Sequence, residues 1–138
     1  MNARIYLLED NQLLRTTVQF LLIREETIEL CGSAESAEEA LREISGARPD
    51  LILVDGSLPG MNGFDFIRNV QKQDQPPLCL FLSGRSDTEV VQEALDAGAC
   101  GYVVKGGRPK ELLTAIHSVL NGQLYISPIV SGMEELRA

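Results

Sequence analysis

Basic residues are scarce in this chain. Twelve Lys and Arg stand against 20 Asp and Glu over 138 residues, a formal net charge of -8. Such a surface has no electrostatic grip on a phosphate backbone, so direct nucleic-acid binding is not expected. Long hydrophobic runs are missing too: no segment approaches the roughly eighteen apolar residues of a membrane span. Met1 to Glu9 lacks the basic start and apolar stretch of a secretory signal, so the reading is a soluble, cytoplasmic protein without membrane contact. The single histidine, His117, lies among polar neighbours and reads as solvated, which nearly excludes catalytic triads and zinc sites. Cys31, Cys79 and Cys100 are odd in number, widely spaced and free of any C-x-x-C pair. They read as buried reduced thiols packing as small hydrophobes.

What is present is a core. At 44% hydrophobic, 138 residues suffice for one compact domain and not for two. Five runs rich in aliphatic and β-branched residues recur at similar intervals: Ala3 to Leu8, Ile28 to Ser33, Leu51 to Asp55, Leu78 to Ser83 and Gly101 to Lys105. Near-continuous apolar character, as in Leu51-Ile52-Leu53-Val54, suits strands covered on both faces, hence a parallel sheet with helical crossovers. Helical spacing appears between them, in Leu13, Leu14, Val18, Leu21 and Leu22, and in Leu112, Leu113, Ile116, Val119 and Leu120. Ser36-Ala37-Glu38-Glu39 has the form of a capping box, Pro109 fits the first turn of the last helix, and Gly122 fits its end. This βα alternation predicts a doubly wound α/β domain over residues 1–122. Residues 123–138, with Pro128, Gly132 and a short acidic amphipathic end, read as a C-terminal tail or linker.

In such a sheet, functional groups gather in the loops at the carboxyl ends of the strands. The residues there are Glu9 and Asp10 after the first strand, Asp55 on the third, Ser83 on the fourth and Lys105 on the fifth. Singly each has a bland explanation: Asp10 as a helix cap, Asp55 as a turn starter, Lys105 as a solvated charge. Together they bring three carboxylates, a hydroxyl and an ammonium to one edge. Three carboxylates repel, and a hard divalent cation such as Mg²⁺, which prefers oxygen ligands and bridges carboxylates to phosphoryl oxygens, resolves that repulsion. Asp55 can then attack phosphorus to give an acyl phosphate, while the cation and Lys105 neutralise the equatorial oxygens. Ser83 can donate its hydroxyl to a phosphoryl oxygen, and Gly84 leaves room for the group to enter.

The acidic pair Glu9-Asp10, Asp55 followed by Leu58-Pro59-Gly60-Met61-Asn62-Gly63, Ser83-Gly84, and Gly101-Tyr102-Val103-Val104-Lys105 together resemble a two-component response-regulator receiver domain, from about residue 3 to about residue 121. The resemblance implies a flavodoxin-like sheet of five parallel strands in the order 2-1-3-4-5 with five helices. It implies phosphotransfer to Asp55 from a histidine kinase or phosphotransfer protein, with Asp10 and the Ser57 carbonyl joining Asp55 around Mg²⁺ and Glu9 assisting through water. Ser83 and Tyr102 would be the switch pair, the hydroxyl turning toward the phosphoryl group and the ring moving inward behind it. Receivers of this kind often self-associate through helical faces, which leaves a homodimer open.

Three residues depart from the common family pattern. Glu9 replaces the usual Asp, Gly106 follows Lys105 where proline is frequent, and Arg85, two residues after Ser83, is placed to shield or hold a phosphoryl group. Ala115 to Gly122 running into Leu124-Tyr125-Ile126-Ser127-Pro128 resembles the junction in regulators with a LuxR-type helix-turn-helix output, so the chain reads either as a receiver from such a transcription factor or as a stand-alone receiver. Two other classes compete. Haloacid-dehalogenase-like phosphohydrolases also form an aspartyl phosphate with magnesium, but generally carry a second Asp two residues after the nucleophile, where this chain has Ser57. A degenerate, binding-only receiver is the other, and the full set of acids, Ser83 and Lys105 speaks against it.

Overall fold

The computed structural model describes residues 2–130; the rest, including Gly132 and the acidic end, lie outside the described residues. Strands and helices alternate: β1 (Ala3–Leu8), α1 (Gln12–Ile23), β2 (Ile28–Ala34), α2 (Ala37–Ala47), β3 (Leu51–Asp55), α3 (Gly63–Val70), β4 (Leu78–Ser83), α4 (Thr88–Ala97), β5 (Gly101–Val104), α5 (Pro109–Leu120) and β6 (Tyr125–Ile126). The sheet is parallel throughout, in the order β2-β1-β3-β4-β5-β6.

Successive side chains of a strand face opposite ways, which is why the central strands read as unbroken apolar runs. Tyr6, Leu8, Ile52, Val54, Phe81 and Tyr102 turn to the face covered by α2, α3 and α4, against Ile44, Phe66, Val70 and Val91. Ile5, Leu7, Leu51, Leu53, Leu80 and Val103 turn to the other face, against Leu22 of α1 and Leu112, Ile116 and Val119 of α5.

The helix starts follow local chemistry. Ser36 Oγ accepts from the Glu39 amide at 3.2 Å, as the capping box predicts, and Glu39 reaches back to the Glu35 amide at 3.1 Å. Pro109 opens α5. The cap of α1 is Asn11, whose Oδ1 accepts from the Leu14 amide at 3.0 Å, so the capping explanation of Asp10 does not hold. Cys79 is buried, whereas Cys31 and Cys100 are only partly so; all three are free thiols.

One expectation is corrected. The sheet has six strands, not five, because Tyr125 and Ile126, in the segment read as a tail or linker, pair with Gly101 and Tyr102. Gly122, at φ +81°, turns the chain back after α5. Gly101 permits the approach: a Cβ there would lie 2.7 Å from Leu80 Cδ1, 3.0 Å from Val119 Cγ2 and 3.2 Å from the Tyr125 carbonyl oxygen.

Candidate functional site

Strand register assembles the site. Leu8 lies opposite Val54, so the chain leaves β1 with Glu9 level with Asp55. Asp55 lies opposite Leu82, with Ser83 next, and Ser83 lies opposite Val104, so Lys105 steps off β5 beside it. The loop after Asp55 folds back tightly over Phe81. A Cβ on Gly56 would come within 2.8 Å of the Phe81 ring, and one on Gly63 within 2.7 Å of the Asp55 carbonyl oxygen. The Glu38 carboxylate of α2 accepts from the Met61 amide at 3.2 Å and holds the far end of this loop.

Glu9, Asp10 and Asp55 each offer a carboxylate oxygen, all within 4.8 Å of one another. Glu9 and Asp55 are 2% and 1% exposed, while Asp10 is open to solvent. Lys105 Nζ donates to Asp55 Oδ1 at 2.7 Å and lies 3.4 Å from Glu9 Oε1. The Ser57 amide donates to the same Asp55 Oδ1 at 3.0 Å. Asp55 Oδ2 is buried and has no hydrogen-bond partner. A buried, unpartnered carboxylate oxygen is costly, and an all-oxygen donor set beside it is what a hard divalent cation takes. The residues present therefore fit such an ion, with Asp55 Oδ2 the atom that lacks a partner.

Charge is distributed unevenly. Burial, together with contact with Asp55, pushes the Glu9 carboxyl up to about 7. Partial desolvation and contact with Asp55 raise the Asp10 carboxyl as well. Burial acts to raise Asp55 too, but contacts with Glu9, Lys105 and the Ser57 amide outweigh it and hold Asp55 below the ordinary aspartate value. Burial acts to lower Lys105, and Asp55 outweighs it, so the ammonium is held above its usual range. These shifts favour the charged form of Asp55 over those of Glu9 and Asp10, and Asp55 faces a charged lysine.

Ser83 is 6% exposed, and its Oγ accepts from the Arg85 amide at 3.1 Å. A Cβ on Gly84 would meet no atom within 4 Å, so the space beside Ser83 is open. Tyr102 is fully buried and lies over Phe81, with ring centroids 5.6 Å apart. Its hydroxyl donates to the Arg85 carbonyl oxygen at 2.7 Å. Burial raises its phenol, with the Ser83 hydroxyl opposing. The Arg85 guanidinium turns to Asp87, donating at 3.1 and 3.0 Å to its two oxygens. Two supports escaped sequence reasoning: the Asn11 amide donates to Glu9 Oε2 at 3.2 Å, and Arg15 donates to the Glu9 carbonyl oxygen at 2.9 Å. Neither carries a motif, because both act through the backbone.

The site is thus an acidic cluster, a lysine and a small hydroxyl side chain gathered at the carboxyl edge of a parallel α/β sheet. The chain belongs to the response regulator receiver domain family, which matches residues 5–117. It is 33% identical over 125 residues to the nitrate/nitrite response regulator protein NarL of Escherichia coli (strain K12), covering 91% of this chain and 58% of that protein. It is 29% identical over 135 residues to the response regulator GacA of Pseudomonas viridiflava, covering 98% and 63%. The chain thus spans about 58 to 63% of the length of these curated relatives. Among solved structures, a LuxR-family two-component response regulator from Aurantimonas sp. SI85-9A1 superposes with a TM-score of 0.89 at 30% identity, covering 95% of this chain and 94% of that one. No helix among the described residues is long and apolar enough to cross a membrane.

Proposed function

We propose that the chain is the phosphorylation-controlled switch of a two-component system, accepting a phosphoryl group on Asp55 from a histidine kinase or phosphotransfer protein in the cytoplasm. The observation that carries this reading is the state of Asp55. One oxygen is held by Lys105 and the Ser57 amide, and the other is buried without a partner in a cluster of three carboxylates.

Asp10, Asp55 and the Ser57 carbonyl would hold Mg²⁺, with Glu9 assisting through water. When bound, the ion neutralises phosphoryl oxygens and aligns the donor. Asp55, kept ionised, attacks phosphorus; the bond to the donor's leaving group breaks as the acyl phosphate forms. Lys105 moves its ammonium from the free carboxylate to a phosphoryl oxygen, and Ser83 donates its hydroxyl to another. Because Ser57 stands two residues after Asp55, no carboxylate there activates water. The phosphorylated form persists as a signal, and turnover on phosphate esters is not expected.

Ser83 and Tyr102 form the switch pair. Tyr102 in its inward position joins the Ser83-Gly84-Arg85 turn to β5 through the Arg85 carbonyl. A phosphoryl group that binds Ser83 better in this arrangement shifts the population toward it. The signal then passes to an output domain, by similarity a DNA-binding one, or to a partner protein or second copy. The apolar side of α1 supports a docked partner: Leu13, Phe20 and Ile23 are 75, 67 and 73% exposed. Phe20 and Ile23 line a cleft of about 840 Å³ that reaches Glu9 and Lys105.

The test is the intact mass after incubation with acetyl phosphate. One phosphoryl adduct should form with Mg²⁺, and none should form with EDTA or in Asp55→Asn. An adduct of equal yield in Asp55→Asn, or repeated turnover of phosphate esters, overturns the assignment.

A further inference from the structure

In a parallel ladder, the backbone groups of alternate residues point to opposite neighbours. The Lys105 amide points toward β4 and donates to the Ser83 carbonyl oxygen at 2.8 Å. The Val104 amide points the other way, toward β6, but β6 ends at Ile126 and supplies no backbone acceptor there. Ser127 fills the gap. Its Oγ accepts from the Val104 amide at 2.9 Å, and its own amide donates to the Tyr102 carbonyl oxygen at 3.0 Å.

Ser127 is 1% exposed, and its hydroxyl uses both of its capacities. While accepting from Val104 it donates to Glu111 Oε2 at 2.6 Å, and the same oxygen accepts from the Tyr125 hydroxyl at 2.8 Å. Glu111 stands in the first turn of α5, where a negative charge is favoured. Its other oxygen packs on the turn after Lys105, since a Cβ on Gly107 would lie 2.8 Å from Glu111 Oε1. The backbone on either side of Lys105 is thereby clamped: Ser83 holds it from within the sheet, and Ser127 with Glu111 holds it from the outer edge. The ammonium so fixed lies 2.7 Å from the Asp55 oxygen.

We propose that Ser127, oriented by Glu111, is a positioning residue for Lys105, so that a hydroxyl beyond α5 sets the rate at which Asp55 takes a phosphoryl group. This inference rests on the proposed role of Asp55 and Lys105. Ser127 touches neither reacting atom; its hydroxyl acts through the Val104 amide. Its removal leaves a buried amide unpartnered one residue from the lysine. Freed on that side, the lysine backbone gains slack, and small misplacements of a reacting constellation are expensive in rate.

The experiment is a double-mutant cycle on the 138-residue chain, measuring the rate of adduct formation from acetyl phosphate at saturating Mg²⁺ together with Mg²⁺ affinity. Ser127→Ala should slow phosphorylation about fivefold or more while Mg²⁺ affinity, set by the carboxylates, stays at the wild-type value. Ser127→Thr, which keeps the hydroxyl, should restore the rate. In a Lys105→Met background, Ser127→Ala should add no further loss, because the group it positions is gone. Thermal melts identify a variant that has not folded; if Ser127→Ala fails to fold, Glu111→Ala, which leaves the Ser127 hydroxyl without its acceptor, takes its place in the same cycle. Wild-type rates in the substituted protein, or an equal loss with and without Lys105, overturn the proposal. A wild-type chain that takes no phosphoryl group at all instead overturns the reading of Asp55 on which it rests.

Discussion

Replacing Asp10 by asparagine should stabilise the metal-free protein. Its carboxylate keeps an oxygen within 4.8 Å of oxygens on both Glu9 and Asp55, and among the described residues no cation lies within ion-pairing distance of it; Lys105 reaches only Asp55 and Glu9. At an effective dielectric near 20, each like-charge contact at that distance is worth about 3.5 kcal/mol before screening. Asp10 is open to solvent, which cuts the net repulsion to about 1 kcal/mol. With an unfolding entropy of about 0.3 kcal/mol per kelvin for a chain of this size, that corresponds to about 3 to 4 °C in Tm. Circular dichroism melts in EDTA should show Asp10→Asn unfolding higher than wild type by that margin. In MgCl₂ the order should narrow or invert, because the ion that relieves the repulsion in wild type loses a ligand in the variant. A variant that melts at or below wild type in EDTA and keeps the full stabilisation by Mg²⁺ would refute the reasoning.

Other consequences are equally open to measurement. In EDTA the unfolding free energy should rise by roughly 2 to 3 kcal/mol as pH falls from 8 to 5. Glu9 has a folded-state pKa of about 7, above its unfolded value, so its contribution is complete below the unfolded value and is lost as pH rises through 7; a flat profile in denaturant titrations would contradict this. Tyr102→Ala should cost about 3 to 4 kcal/mol in urea titrations by emptying a fully buried site. It should still accept a phosphoryl group while weakening partner binding or dimerisation, and unchanged output would remove the switch role. Gly101→Ala should lose about 1 to 3 kcal/mol, since its methyl would meet Leu80, Val119 and the Tyr125 carbonyl; unaltered stability would show that β6 can move away at no cost.

Much of the architecture is legible in local pattern. The strands announce themselves because both faces of the central sheet are covered, so Leu51 to Val54 are all apolar and all buried. Ser36 and Pro109 mark helix starts by their own chemistry. The site is legible for a topological reason: parallel strands place their carboxyl ends on one edge, so the polar residue closing each apolar run belongs with the others. Glu9, Asp10, Asp55 and Lys105 are indeed brought together there, and Ser83 ends the strand beside Asp55. What escaped is what tertiary pairing alone creates. Tyr125 and Ile126 form too short a run to show period two, and become a strand because β5 offers an open edge. Asn11 rather than Asp10 caps α1, a choice between adjacent residues with equal propensity. The Tyr102 hydroxyl on the Arg85 carbonyl and the Ser127-Glu111 contact depend on groups meeting across 17 and 16 positions of sequence, beyond the reach of any local pattern.

The central claim is that Asp55, and no other side chain, becomes the acyl phosphate. Borohydride reduces an acyl phosphate on aspartate to homoserine, so the chain treated with acetyl phosphate and Mg²⁺, then reduced and digested, can be mapped by peptide mass spectrometry. The account predicts homoserine at position 55 alone, dependent on Mg²⁺. Homoserine at position 10, a modification on Glu9 or a serine, or an unmodified peptide carrying Asp55 would contradict it.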